Sequence, residues 1–315
     1  MADNAPPEAT PNQPQLEAVD TISLATEASN PASRNLDQLS VLEIVSLMNA
    51  EDTKVPEAVS KVLPQIARAV EVITERMQRG GRLIYMGAGT SGRLGVLDAA
   101  ECPPTFNTSP DKVLGLLAGG PNAMVNAAEA AEDDPELGRQ DVIKINLSAN
   151  DAVVGLAASG RTPYVIGALQ YAREVGAAAI AVTCNSPSAL EEVAEITIAP
   201  VTGPEVLAGS TRLKAGSAQK MVLNMLSTAT MVRLGKTYGN LMVDMRPTNA
   251  KLRRRAARIV AEATGQDDNS AMEALEQSGG ETRTAIVALL AGVTPVEARE
   301  RLRQAGGFVR KAIQQ

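Results

Sequence analysis

The chain alternates short apolar runs with longer segments of helical periodicity. The apolar runs cover residues 82–86, 113–117, 152–157, 178–182 and 196–199. Runs this short, with no alternation of polar residues, are typical of strands buried on both faces of a parallel sheet. Because helical segments separate them, the pattern predicts an α/β fold with a doubly wound parallel sheet covered by helices on both faces.

Helical periodicity predicts further elements on either side of this sheet. A helix is expected over Ser40–Asn49 and a longer one over Val55–Gln78, which Pro64 is expected to kink or divide. A long apolar helix over Thr211–Leu234 is suited to central packing or to a dimer contact. The more charged chain from Thr248 predicts small helices, with turns at Gly265, Gly279-Gly280, Thr294-Pro295 and Gly306-Gly307.

These patterns divide the chain into three parts. Residues 1–50 are expected to form a flexible arm and a helix, and the first 20 residues are polar and rich in Pro, which predicts disorder. Residues 51–247 are expected to form the α/β domain, and residues 248–315 a C-terminal helical subdomain.

Two loops follow predicted strands and open predicted helices. They are Gly87-Ala88-Gly89-Thr90-Ser91-Gly92-Arg93 and Ala158-Ser159-Gly160-Arg161-Thr162-Pro163. The free backbone N–H groups and the positive dipole end of a helix N-terminus favour a phosphate there, and Ser and Thr hydroxyls add donors. Two such loops indicate a ligand with one phosphate and several hydroxyls.

The first loop also fits the dinucleotide fingerprint G-x-G-x-x-G, which is weak on its own. A dinucleotide site needs an acidic residue at the end of the second strand, to hold a ribose hydroxyl. The second predicted strand instead ends in Ala118-Gly119-Gly120. No Gly-Lys-Ser/Thr completes a Walker A loop either, so we expect no cofactor.

Composition narrows the classes of partner. The net charge of −6 disfavours a nucleic-acid binder, which needs a basic footprint. No run approaches the roughly 18 apolar residues of a membrane helix, and the N-terminus lacks the basic and apolar regions of a signal peptide. Cys102 and Cys184 have no metal-type spacing, which predicts a reducing, cytoplasmic location and no metal site.

The chain contains no histidine. Nucleophile systems that depend on imidazole, such as Ser-His-Asp and Cys-His, are therefore excluded, and so are His-ligated zinc sites. Proton transfer at neutral pH must use Glu, Asp, Lys, Tyr or Cys. Carboxylates are the leading candidates.

Longer motifs resemble a known family over nearly the whole chain. They include Gly89-Thr90-Ser91-Gly92-Arg93, Ala100-Glu101-Cys102-Pro103-Pro104-Thr105-Phe106, Ala131-Glu132-Asp133, Ser159-Gly160-Arg161-Thr162 and Asn240-Leu241-Met242-Val243-Asp244. These motifs resemble the sugar isomerase domain and, within it, the N-acetylmuramic acid 6-phosphate etherases. The resemblance implies a three-layer α/β/α sandwich around a five-stranded, flavodoxin-like parallel sheet, plus the small helical subdomain.

The resemblance also implies a reaction and two catalytic carboxylates. The family removes the D-lactyl ether of N-acetylmuramic acid 6-phosphate, giving N-acetylglucosamine 6-phosphate and D-lactate. Glu132 matches a base for the C2 proton. Glu101 matches an acid that protonates the departing lactate and then activates water, and Pro103-Pro104 are expected to end its helix just beyond it.

The substrate contacts follow from the same resemblance. They are Thr90, Ser91, Gly92, Ser159, Gly160, Arg161, Thr162 and Glu205. Arg93 and Arg161 each fit a phosphate partner and a solvated loop cation equally well. Cys102 has no base to activate it and is expected to be a small buried side chain. The family further implies a homodimer.

Two departures from the family pattern stand out. The opening motif Thr26-Glu27-Ala28-Ser29-Asn30-Pro31 lacks two arginines, and Asn107 replaces a usual glycine after Phe106. Two other functions are weighed: a sugar-phosphate sensor like the glucokinase regulatory protein, and an aldose–ketose phosphosugar isomerase. The length and the two carboxylates tell against the sensor, and the Glu101–Phe106 motif against the isomerase.

Overall fold

The computed structural model describes residues 24–126, 128–245 and 249–315. The segment predicted to be disordered, residues 1–20, lies outside the described residues. So does the predicted boundary of the C-terminal subdomain between residues 247 and 248. The three-part division of the chain therefore stays a prediction.

The sheet has the predicted strands. They are β1 (Leu83–Gly87), β2 (Val113–Leu117), β3 (Ala152–Leu156), β4 (Ala178–Val182) and β5 (Ile196–Ile198). Their order is β2-β1-β3-β4-β5 and every pairing is parallel. The chain crosses from one side of β1 to the other between β2 and β3, so β1 and β3 form the switch point where ligands bind in open α/β sheets.

Helices surround the sheet and continue beyond it. They are α1 (Val41–Asp52), α2 (Lys54–Ser60), α3 (Leu63–Gln78), α4 (Gly89–Phe106), α5 (Glu129–Glu132), α6 (Pro135–Lys144), α7 (Pro163–Glu174), α8 (Ala189–Val193), α9 (Lys214–Arg233), α10 (Ala250–Thr264), α11 (Asp268–Gln277), α12 (Thr282–Ala291), α13 (Pro295–Gln304) and α14 (Val309–Ile313). No helix among the described residues is both long and apolar enough to cross a membrane.

Each face of the sheet has its own core, which confirms the three-layer sandwich. Within β1, Leu83 and Tyr85 pack with α3, α4 and α9, while Ile84 and Met86 pack with α6 and α7. Successive side chains of a strand point to opposite faces, so a run that is apolar at every position must be covered on both sides. This is why the strands show no polar alternation.

Three prolines in predicted helices have two different effects. Pro64 lies in the first turn of α3 and separates it from α2, as predicted. The expectation that Pro103 and Pro104 end the helix beyond Glu101 is wrong, because α4 continues through both of them to Phe106. Since both prolines stand in the last turn, few helical hydrogen bonds are lost, and the buried Phe106 anchors the end of α4.

The helix α4 ends at Asn107, which adopts a left-handed conformation with φ of 51°. Its N–H donates to the carbonyl of Pro103 over 2.9 Å. Glycine favours this conformation and Asn tolerates it better than most residues. The turn thus forms in spite of the Asn that replaces the family's usual glycine.

The helices α10–α14 share a third core with residues 238–245. The four predicted turns separate them, and the glycines of three of these turns have positive φ. These helices pack around Ala256, Val260 and Ile286, all buried.

Candidate functional site

A cleft of about 510 Å³ opens at the carboxyl ends of β1 and β3. Its lining combines the two predicted loops with residues from three other parts of the chain: Glu27, Ala88, Gly89, Thr90, Ser91, Glu132, Asp133, Leu156, Ala157, Ala158, Ser159, Arg161, Thr162, Pro163, Gly209 and Thr211. It lies at the switch point of the sheet, where the strand order favours ligand binding.

The first loop supplies the N-terminus of α4. The N-cap residue Ala88 has no side chain to cap the helix, so the first N–H groups of α4 face the cleft without an intrahelical acceptor. Ser91 lines the cleft and donates its hydroxyl to Oε1 of Gln219 over 2.8 Å. The helix dipole and the free N–H donors both favour an anion at this end of the cleft.

Gly92 does not line the cleft, although it was predicted to contact the substrate. A Cβ at Gly92 would lie 2.4 Å from the carbonyl oxygen of Gly87 and 2.5 Å from Cδ1 of Leu117. The glycine therefore allows α4 to start directly against β1. Gly92 packs closely beneath the first loop.

The second loop supplies Ser159, Arg161 and Thr162 to the cleft. Gly160 turns the chain between them with φ of 75°, and a Cβ there would lie 2.5 Å from Cβ of Ser188. Gly160 is absent from the cleft lining.

Thr162 occupies the N-cap of α7, followed by Pro163 in the first turn. Its side chain makes no capping hydrogen bond; the hydroxyl instead donates to Oε1 of Glu132 over 3.1 Å. Thr162 thus connects the second loop to the predicted base.

Glu132 ends the single-turn helix α5 and lines the cleft next to Asp133. The structure brings this carboxylate together with both loops. A base at this place is within the same cavity as an anion held at the N-terminus of α4.

Glu101 lies elsewhere within the protomer. It lines a separate cavity between α4 and α9 with Asp98, Lys220 and Asn224. Gly89 and Glu101 belong to the same unbroken helix, so their Cα atoms are about 18 Å apart along its axis. The structure does not bring the two predicted catalytic carboxylates together within one chain.

Glu205 also lies outside the cleft lining and is fully buried. Its two carboxylate oxygens accept hydrogen bonds from the backbone N–H groups of Lys214 and Ala215, over 3.0 and 2.9 Å. It thereby caps the start of α9. Burial raises its pKa, although the two N–H donors act in the opposite direction. The expected contact between Glu205 and the substrate stays a prediction.

Two other side chains named from the sequence have structural partners. Arg93 donates to the backbone carbonyls of Ala123, Met124 and Asn126 and so holds the turn after β2.

Cys102 is buried, as expected, and burial together with the nearby Asp98 and Glu101 carboxylates raises the pKa of its thiol to about 12. A thiol with this pKa is not a nucleophile at neutral pH.

Sequence reasoning did not assign Glu27, Asp133 or Thr211 to the site, yet all three line the cleft. Glu27 belongs to the opening motif of the family resemblance, and Asp133 directly follows Glu132. Their positions inside motifs of the family resemblance could have indicated that Glu27 and Asp133 belong to the site.

Two family models identify the class of domain. The model of the glucokinase regulatory protein N-terminal SIS domain matches residues 65–173, and the SIS domain model matches residues 125–229. Among solved structures, a phosphoheptose isomerase from Neisseria gonorrhoeae is 17% identical, with a TM-score of 0.48, over 61% of this chain and 98% of that one.

Curated relatives are much more similar. An N-acetylmuramic acid 6-phosphate etherase from Pectobacterium atrosepticum is 58% identical over 290 residues, which cover 92% of this chain and 96% of that protein. The protein of the same name from Streptomyces coelicolor is 58% identical over 291 residues, covering 92% of this chain and 93% of its own.

Proposed function

This chain belongs to the N-acetylmuramic acid 6-phosphate etherase family, and we propose that the cleft at the ends of β1 and β3 is its active site. The observation that carries the proposal is the presence of Glu132 in one cavity with both Ser/Thr loops. These groups match the two needs of the substrate, an anchor for a phosphate and a base for a carbon acid.

The protein is a carbon–oxygen lyase that cleaves the D-lactyl ether of N-acetylmuramic acid 6-phosphate. The products are N-acetylglucosamine 6-phosphate and D-lactate, which places the enzyme in amino sugar recycling. Relatives that are 58% identical carry the etherase name, which favours this activity over a sugar-phosphate sensor and over an aldose–ketose isomerase.

In the proposed mechanism the substrate reacts in its open-chain form. The C2 proton is acidic because it lies next to the C1 aldehyde, and the Glu132 carboxylate removes it. The resulting enolate expels the lactate oxygen from C3, and water then adds to C3 of the unsaturated intermediate. The hydrogen bond from Thr162 leaves the other oxygen of Glu132 available for the proton. A positioned acid or base contributes about 10²–10⁴-fold to such a rate.

The second proton transfer is assigned to Glu101, supplied by a second copy of the chain. A hexose phosphate anchored at the N-terminus of α4 cannot reach Glu101 of the same helix, about 18 Å along the axis. In a symmetric dimer each helix α4 can offer its N-terminus to one site and its Glu101 to the other.

An apolar surface supports the proposed homodimer. A groove of about 1090 Å³ runs between α3 and α9, lined by Leu63, Val70, Met221, Met225 and Val232 among others. Asn224 lines both this groove and the cavity that contains Glu101, so the two are adjacent. Leu63 and Val232 are exposed there, and grouped apolar side chains at a surface are typical of an interface. Covering the groove would bring a second copy next to Glu101. We further place the homodimer in the cytoplasm, where the buried thiols Cys102 and Cys184 remain reduced.

Lactate release and C2 deuterium exchange in heavy water separate the two carboxylate roles. Glu132→Ala should lose both activities. Glu101→Ala should lose lactate release and keep exchange. Glu129→Ala, on the exposed side of the same short helix as Glu132, is the matched control and should keep both. Loss of exchange in Glu101→Ala together with its survival in Glu132→Ala would reverse the assignment.

Mixed dimers test the origin of Glu101. When Glu101→Ala and Glu132→Ala subunits are unfolded, mixed in equal amounts and refolded, half of the dimers are mixed. If Glu101 acts across the interface, each mixed dimer has one intact site, and about a quarter of wild-type activity returns. If both carboxylates act within one protomer, no site is intact and no activity returns, which would refute the assignment.

A further inference from the structure

The N-terminal arm places the carboxylate of Glu27 in the cleft, and the proposed mechanism gives this carboxylate no role. Glu27 lines the cleft together with Glu132 and Asp133. A Cβ placed on Gly209 would lie 3.4 Å from Oε2 of Glu27, so this carboxylate packs against the loop that precedes α9. The side chain is exposed, which leaves its oxygens accessible to a ligand.

A buried hydrogen-bond network holds the arm at this position. The backbone N–H of Thr26 donates to Oδ1 of Asn185 over 3.3 Å, and Nδ2 of Asn185 donates to Oγ1 of Thr26 over 2.9 Å. The same Nδ2 donates to the carbonyl of Ala158 over 2.9 Å. Thr26 and Asn185 are 1% and 2% exposed, so the arm is fixed directly to the start of the second loop.

Charge decides which part of the substrate can face Glu27. A carboxylate repels a phosphate, and the free N–H groups of α4 with the hydroxyls of Thr90 and Ser159 attract one. The phosphate is therefore held by the loops, and Glu27 faces the uncharged part of the sugar. The groups there that a carboxylate binds are hydroxyl and amide N–H donors.

We propose that Glu27 is a substrate-contacting residue that accepts hydrogen bonds from hydroxyl or amide N–H groups of the sugar, and that Thr26 and Asn185 position it. This rests on the proposed assignment of the cleft as the active site. It gives the arm a role in selecting phosphorylated amino sugars over other phosphate compounds.

The test compares binding of the sugar phosphate with binding of phosphate alone. In Glu27→Ala the Kd of the product N-acetylglucosamine 6-phosphate should rise about ten- to a hundredfold, as expected for a lost hydrogen bond to a charged group. The inhibition constant of inorganic phosphate should stay the same or fall, because a negative charge has been removed. KM should rise by more than kcat falls.

The control is Glu129→Ala, which removes an exposed carboxylate from α5 without touching the cleft lining. Equal weakening of sugar phosphate and phosphate binding in Glu27→Ala would overturn the proposal, and so would a product Kd within twofold of wild type. Failure of the wild-type protein to release lactate would instead refute the proposed function, so the two failures are distinguishable.

The positioning role of Thr26 has its own test. Thr26→Val keeps the shape of the side chain and removes the hydroxyl that Asn185 contacts. The substitution should raise the product Kd in the wild-type background and leave it unchanged in the Glu27→Ala background, since a residue that acts through Glu27 has no effect without it. Additive effects of the two substitutions would show that Thr26 does not act through Glu27.

Discussion

The hydroxyl of Thr162 donates to Oε1 of Glu132 over 3.1 Å, joining the N-cap of α7 to the end of α5 across 30 residues of sequence. The bond orients a carboxylate on a one-turn helix that has little other support. A hydrogen bond thus connects the second loop to the proposed base.

Thr162→Val should lower kcat for lactate release about tenfold, because the carboxylate loses the donor that orients it. Lactate release and C2 exchange should fall together. Thr162→Ser keeps the hydroxyl and should stay close to wild type. Equal losses in the valine and serine variants would show that the hydroxyl is not what matters.

A buried ion pair joins α1 to the start of α9. Nζ of Lys214 lies 2.7 Å from Oε2 of Glu51, and their side chains are 1% and 5% exposed. Glu51→Gln should reduce the free energy of unfolding by about 3–5 kcal/mol, because it leaves the ammonium buried without a charged partner. Urea unfolding measures this loss.

The matched control is the exposed pair of Lys61 and Glu57, whose side chains are both 70% exposed. Glu57→Gln should leave the urea midpoint almost unchanged, because solvent screens an exposed pair. If Glu51→Gln were as mild as this control, the buried pair would have no special role in stability.

The same pair makes stability depend on pH. Burial raises the pKa of Glu51, but hydrogen bonds from Lys214 and Lys54 outweigh it and lower the pKa from 4.5 to about 2. Because the folded pKa is the lower one, the contribution is complete above pH 4.5 and is lost as the pH falls from there to about 2. Unfolding free energies across this range should fall less steeply in Glu51→Gln than in wild type, and identical slopes would contradict the assignment.

Both cysteines should be inert in the folded protein. Burial raises the pKa of Cys102 and of Cys184 to about 12, so almost no thiolate is present at pH 8. An aromatic disulfide reagent should find no reactive thiol in the native state and both thiols in denaturant. Cys102→Ala should keep lactate release, whereas rapid labelling of Cys102 with loss of activity would revive its candidacy as a nucleophile.

Gly92 should tolerate no side chain. Its Cβ would overlap the backbone of β1, 2.4 Å from the carbonyl oxygen of Gly87, so Gly92→Ala should give insoluble protein or a loss of more than about 3 kcal/mol. Gly216→Ala is the control, because its Cβ would meet nothing nearer than 3.4 Å and a helix favours Ala over Gly. A thermal midpoint for Gly92→Ala equal to that of Gly216→Ala would refute this packing role.

The strands and the two loops were predictable because their causes are local. A strand buried on both faces must be apolar at each position. A helix that starts directly against a strand, as α4 does against β1, needs a glycine at the point of contact, which is position 92. The turns of the C-terminal helices were predictable for a similar reason, since Gly and Pro restrict or release the backbone by themselves.

The position of Glu101 relative to the first loop was also contained in the sequence. The predicted helix end at Pro103 and Pro104 lies beyond Glu101, so Gly89 and Glu101 share one helix in the prediction and in the structure. Helical geometry alone then separates Glu101 from Gly89 by about 18 Å.

The sequence by itself determined the sheet, the two loops that follow β1 and β3 and, through its motifs, the family. Tertiary structure alone decided that Glu27 enters the cleft, that Glu205 caps α9, and that Thr162 serves Glu132 instead of its own helix. The physical reason is the range of the interactions. Periodicity and backbone preference act within a few residues. A polar side chain instead takes its partner from any part of the folded chain that lies next to it, as Asn185 contacts Thr26 across 159 positions.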